Sequence, residues 1–157
     1  MASATVTGKD INRVPVEMEI DQLTWRPGAY ALVFNDNGDV LVVDNTINKR
    51  KEFPGGGVEI HETFEEALIR EVWEETGLNV QIEAFITIID EFFLTPSGKQ
   101  WHTVKCFYRC SPIDGELRDT ILEEEPIVNP RWIDPSILTK DTLTIGWEVL
   151  KQVLVEM

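Results

Sequence analysis

The chain has 157 residues, a length that suits one domain with a proper core. Its 28 acidic against 14 basic residues give a formal charge of −14, which argues against a nucleic-acid polymer or an anionic membrane as partner. It leaves room for a small phosphorylated substrate held through a bound cation. No apolar run is long enough to cross a membrane, and the N-terminus lacks the apolar core and cleavage pattern of a signal peptide, so the expected compartment is the cytoplasm.

In chain order, residues 1–13 are small and polar and read as a flexible N-terminus ahead of one domain over residues 14–157. From Val14 to Trp25 the apolar Val14, Val16, Met18 and Ile20 alternate with polar neighbours, the period of an edge strand, and Arg26-Pro27-Gly28 is expected to break it. Ala29 to Phe34 reads as an apolar strand, Asn35 to Gly38 as a turn, and Val40 to Val43 as its hairpin partner. The stretch from Asp44 to Glu52 carries the basic cluster Lys49-Arg50-Lys51. Each of the three reads either as solvated counter-charge or as a phosphate contact.

Pro54-Gly55-Gly56-Gly57 permits close backbone approach to a ligand. Thr63 with Glu66 forms a capping-box pattern, and Gly77 supplies the left-handed residue past a helix end, so a helix of about four turns is expected between them. Phe64, Ala67, Leu68 and Val72 make its apolar stripe, while Glu71, Glu74 and Glu75 converge on another face. Like charges so placed repel, and those near the helix C-terminus also oppose its dipole. Two readings follow: a solvated acidic face, or a site for a hard divalent cation with Arg70 bracing the carboxylates.

Beyond the helix, Val80 to Leu94 is a long β-rich run expected to bend or bulge. Thr95 to Lys99 turns it back into a strand over Gln100 to Cys110. Cys106 and Cys110 read as reduced, packed thiols, and His102 as a packing or surface residue. Asp114 to Pro126 is a polar loop with Glu123-Glu124-Glu125, Ile127 to Ile133 a last strand, and Thr142 to Glu156 an amphipathic helix. Strands, helix, strands and helix in that order suggest an α/β protein with a mixed sheet between helical layers.

Gly56, Glu62 and the run Arg70-Glu71-Val72-Trp73-Glu74-Glu75-Thr76-Gly77-Leu78, at these spacings, resemble the signature of the Nudix (MutT-like) hydrolases at all nine specified positions. The resemblance implies an α/β/α sandwich. It also implies hydrolysis of a phosphoanhydride bond in a nucleoside diphosphate linked to another moiety, such as a nucleoside triphosphate or related small nucleotide. It further implies Mg²⁺, or Mn²⁺, on Glu71, Glu74, Glu75 and the Gly55 carbonyl, with Arg70 orienting the carboxylates and Glu62 behind them. The general base in the family is a helix glutamate or one on a distant loop, and Glu125 is the first candidate here. Arg26 and Arg50 are expected substrate contacts, and Trp25, Phe92 or Trp101 could line a base pocket. The chain is expected to act as a monomer or homodimer on a small nucleotide. The residues that mark several substrate subfamilies are absent, Phe93, Leu94 and Thr95 standing in their place. A non-catalytic Nudix domain that senses a nucleotide or binds a partner is the alternative. An isomerase on the same metal box would need a cysteine and a glutamate in a motif not seen here.

Overall fold

The computed structural model describes residues 4–157. Nine strands run β1 (Thr5–Lys9), β2 (Pro15–Glu19), β3 (Thr24–Val33), β4 (Val40–Asn45), β5 (Lys51–Glu52), β6 (Gly55–Gly57), β7 (Leu78–Leu94), β8 (Gln100–Gly115) and β9 (Ile127–Ile133). The helices are α1 (Phe64–Thr76) and α2 (Trp147–Glu156). Six strands form a mixed sheet in the order β2-β1-β7-β8-β3-β6, and β5-β4-β9 form a second sheet.

The parallel β3–β8 pair at the middle is apolar on both faces, as a strand covered from two sides must be. Strand alternation divides its side chains between the helices. Ala29, Ala31 and Val33 of β3 with Cys106, Tyr108 and Cys110 of β8 pack with Leu68 and Val72 of α1. Leu32 and Phe107 face the other way and pack with Val149, Leu150 and Val153 of α2. A mixed sheet between two helices is therefore the α/β architecture expected. The thiols of Cys106 and Cys110 are free and buried, and burial pushes Cys110 up to about 12.

α1 begins and ends as the sequence predicts. Thr63 accepts from Glu66 N–H while Glu66 reaches back to the Thr63 N–H, and Gly77 closes the helix at φ 83°. β7 is a 17-residue strand whose pairing with β8 shifts register near Val80, Ala84 and Thr87, the bulging expected of so long a run.

Four local expectations are corrected. Residues 5–9 of the expected flexible N-terminus form β1, which pairs with β2 and touches β7 at Lys9↔Phe93; residues 1–3 lie outside the described residues. Arg26-Pro27-Gly28 does not break the chain but lies inside β3. The Pro27 carbonyl accepts from Val58 N–H at the end of the β6 ladder, so the missing N–H of Pro27 leaves the β8 pairing whole. β3 and β4 meet only at the Phe34↔Val40 bridge, after which β4 crosses into the second sheet with β9. α2 starts at Trp147, not near Thr142. Residues Thr142 and Thr144 instead hydrogen-bond Lys51 across the edge of β5, and Gly146, at φ 98° against Phe53, turns the chain into the helix.

Candidate active site

β6 hydrogen-bonds to β3 through Gly28–Tyr30, and its other side faces α1. Gly55 sits at φ 153°, where a Cβ would stand 2.2 Å from the Ala29 carbonyl oxygen, and its N–H donates to Glu75 Oε2 at 3.2 Å. A Cβ on Gly56 would lie 2.7 Å from the Glu71 carboxyl carbon. Glycine at these two positions is what lets a strand lie directly on the carboxylates of a helix.

Arg70 ties the helix to the turn before it. Nε and a terminal nitrogen hold both Glu62 carboxylate oxygens at 2.7 Å in a bidentate pair. The other terminal nitrogen donates to Glu71 at 2.9 Å and Glu74 at 3.2 Å, and the Gly57 carbonyl accepts at 3.1 Å from the terminal nitrogen that holds Glu62. The guanidinium holds Glu62 down at about 2. Glu71 and Glu75 are buried, at 8% and 5% exposure. Burial pushes both above the usual carboxylate range, Glu71 against the pull of Arg70, and the charge of Glu71 adds to the rise at Glu75.

A cavity of about 370 Å³ opens beside these groups. Glu71, Glu75, Gly55 and Arg26 line it, as does Glu125 from the loop before β9. All three glutamates of that loop are exposed, and Glu123 and Glu124 lie outside the cavity wall. Glu125 is pushed upward by partial burial and then by Glu52 and Glu74, with Arg26 opposing. Arg26 lies 5.2 Å over the Trp101 ring and makes no ion pair or side-chain hydrogen bond among the described residues. Arg50 does not line the cavity: it donates to the carbonyls of Asp141 and Ile11 and braces loops. Of the aromatics considered for a base pocket, Trp101 faces the cavity. Trp25 instead stacks on His102 at 4.3 Å, and Phe92 packs against it at a tilt at 4.6 Å, on the opposite side of the sheet, as strand alternation requires. His102 also contacts Asp90 at 2.8 Å and has no place in the cavity wall.

Several cavity residues have no counterpart in the sequence reading. Glu52 lines the wall and accepts from Asn45; its place just ahead of Phe53-Pro54-Gly55 is a local signal that could have found it. Tyr30 is half-buried beside the carboxylates, and its hydroxyl is pushed upward by burial first and then by Glu52. Lys9, Glu91 and Lys105 join the wall from three separate strands, and no spacing in the chain announces them.

The donor set fits a hard divalent cation. Two buried carboxylates share one pocket with raised affinity for protons, the situation a cation relieves. Among the described residues no three acidic, thiol or imidazole groups stand close enough to close a metal shell unaided.

A NUDIX domain family model matches residues 24–153. The chain is 32% identical over 104 residues to a MutT-like protein of Streptomyces ambofaciens, covering 66% of this chain and 60% of that protein. It is 43% identical over 68 residues to an RNA pyrophosphohydrolase of Acinetobacter baylyi, 41% of each chain. It is also 45% identical over 58 residues to phosphatase NudJ of Escherichia coli K12, 36% of this chain and 38% of that one. The match thus spans less than two thirds of each of these relatives. The crystal structure of a MutT NUDIX hydrolase from Burkholderia pseudomallei superposes with a TM-score of 0.68 at 25% identity, covering 83% of this chain and 98% of that chain. A MutT protein from Methanosarcina mazei Go1 shares the fold at TM-score 0.65 and 21% identity, covering 86% and 96%. With the family model spanning most of the chain and the helix, glycine turn and arginine clamp in place, this protein belongs to the NUDIX family.

Proposed function

We propose that this chain hydrolyses a phosphoanhydride bond of a nucleoside diphosphate linked to another moiety, a nucleoside triphosphate or related small nucleotide, using Mg²⁺ or Mn²⁺. The observation that carries this reading is the pair of buried carboxylates, Glu71 and Glu75, on the wall of a cavity that also holds Arg26, a cation with no ion pair among the described residues. Membership of a family whose relatives include a pyrophosphohydrolase and a phosphatase supports it.

Glu71, Glu74, Glu75 and the Gly55 carbonyl would hold the cation. When bound, it supplies charge neutralisation on the phosphates and lowers the pKa of a coordinated water. Arg70 and Glu62 keep the helix carboxylates oriented, so no side chain has to reorganise during the reaction. Arg26 offers unused donors to a phosphate oxygen while its guanidinium rests on Trp101. Glu125, its proton affinity raised by partial burial and by Glu52 and Glu74, takes the proton of the attacking water as general base.

The test is phosphate release from nucleoside triphosphates, nucleotide sugars and dinucleotides with Mg²⁺ and Mn²⁺, run beside Glu75→Gln. Turnover that falls at least about a hundredfold in the variant is expected, since outer-shell partners alone are worth 10- to 100-fold. No turnover on any substrate, or an unchanged rate in the variant, overturns the reading. For Glu125→Gln a loss of at least about a hundredfold in kcat is expected, and a loss under tenfold removes it as the base.

A further inference from the structure

The β1–β2 hairpin precedes the stretch that matches the family, which starts at residue 24, yet it contributes Lys9 to the cavity wall. Gly8 makes this possible. A Cβ there would stand 2.6 Å from the Phe92 carbonyl oxygen, so the missing side chain lets β1 close on β7 and seats Lys9 opposite Phe93. Lys9 Nζ then lies 2.8 Å from Glu91 Oε2, and Lys105 Nζ lies 3.4 Å from Glu91 Oε1. The Glu91 and Lys105 side chains are only 16% and 15% exposed. Lys105 also sits over the rings of Tyr30 and Phe93, at 5.6 and 6.0 Å, so its ammonium is held in place rather than free in solvent.

The trio carries a defined order of hydrogen-bonding groups: ammonium, oxygen, oxygen, ammonium. Each carboxylate oxygen keeps a lone pair after meeting its lysine, and each ammonium keeps two donors. Three adjacent members therefore present acceptor, acceptor, donor. The Watson–Crick edge of guanine presents the complement: the N2 amino and N1–H donors beside the O6 acceptor. Cytosine would need acceptor, donor, donor, which the row meets only by using Lys105 twice and leaving the second oxygen unmatched, and uracil donor, acceptor, donor, which the row does not contain. Adenine would use one oxygen and one lysine and leave the second oxygen unmatched.

We propose that Lys9, Glu91 and Lys105 read a guanine base at the end of the cavity, with Glu91 accepting from N1–H and N2–H and Lys105 donating to O6. The aromatic wall of Phe93 and Trp101 gives the base an apolar face to lie against. This rests on the reading of the chain as a nucleotide hydrolase and names the specificity of that same site.

The test compares kcat/KM for GTP, ATP, CTP and UTP with Mg²⁺, and binding of GMP against AMP by titration calorimetry, for the wild type and Glu91→Gln. A preference for guanine of about tenfold or more is expected, the size of one good bidentate base contact. In the variant the preference falls to within about threefold, through a loss of kcat/KM for GTP. Turnover with no guanine preference, or a preference that survives Glu91→Gln, overturns this inference and leaves hydrolysis standing. If no nucleotide is turned over, hydrolysis itself fails and the GMP/AMP titration decides: tighter GMP binding that Glu91→Gln removes supports the base reading, and equal binding overturns it. Lys105→Met, which keeps the aliphatic stem and loses the O6 donor, replaces Glu91→Gln if that variant does not fold, with the same outcomes.

Discussion

The two ends of the cavity are built in opposite ways. At one end a single stretch, residues 55–75, supplies the glycine strand, the arginine and the carboxylates, and Arg70 joins them through short ion pairs at 2.7 to 3.2 Å. At the other end Lys9, Glu91 and Lys105 arrive from β1, β7 and β8, and meet only because the sheet places those strands side by side. The first end is organised by a helix whose period fixes which carboxylates converge. The second is organised by register, which a helix-like local pattern cannot encode.

Breaking the local end has the largest expected effect. Arg70→Ala removes the partner of Glu62, Glu71 and Glu74 together, so kcat should fall at least about a hundredfold. Denaturant unfolding should show a loss of about 1–3 kcal/mol, discounted from a fully buried pair because the Arg70 side chain is 31% exposed. Arg70→Lys should not rescue kcat, since an ammonium cannot hold Glu62 bidentately. Should Arg70→Lys keep wild-type kcat, the clamp has no role beyond charge.

Arg26 stands between the two ends. Arg26→Ala should raise KM about tenfold with kcat within about threefold, the pattern of a contact made equally in ground and transition states. An unchanged KM would separate Arg26 from the substrate and divide the cavity into unconnected halves.

Thr63→Ala removes the cap that starts α1 and should cost about 1 kcal/mol in denaturant unfolding with little change in kcat. A large loss of activity instead would mean that the carboxylates depend on the helix start rather than on Arg70.

The smallest effect is in pH. Glu71 and Glu75 are raised in the folded protein above their ordinary value of about 4.5, so the folded state binds protons more tightly than the unfolded one. Their contribution to stability is full below pH 4.5 and is lost as pH rises through the folded values. Glu62 has the opposite sign: held at about 2, it contributes above 4.5 and loses that contribution as pH falls toward 2. Without divalent ions the Tm should therefore fall as pH rises from 4.5 toward neutrality, and millimolar Mg²⁺ should flatten the slope. A slope unaffected by Mg²⁺ argues that the cation does not sit on Glu71 and Glu75.

α1 was readable residue by residue: the Thr63 cap and the Gly77 stop are properties of a local helix and the structure has both, while of the three glutamates Glu71 and Glu75 line the cavity and Glu74 does not. The core stripes of β3 and β8 were readable for the same reason, since alternation is local. Errors gathered where pairing decides. Pro27 looked like a break, but it sits at the end of the β6 ladder, where one missing N–H leaves the β8 pairing intact. Leu143 fell in helical phase with Trp147, but its segment is claimed by the edge of β5. Trp25 and Trp101 looked alike as base-pocket candidates, and only the register of β3 and β8 put one in the cavity and the other on the far face.

By itself, then, the amino-acid sequence determined the acidic helix, its ends, the glycine turn beneath it and the family they mark, because all of these follow from spacings within a few turns of chain. Only the tertiary structure decided that Glu125 and Glu52 face the helix carboxylates, that Arg50 braces loops while Arg26 lines the cavity over Trp101, and that Lys9 reaches Glu91. Those contacts depend on which strands lie side by side, and that choice is made by the burial of the whole sheet between two helices rather than by any neighbouring residues.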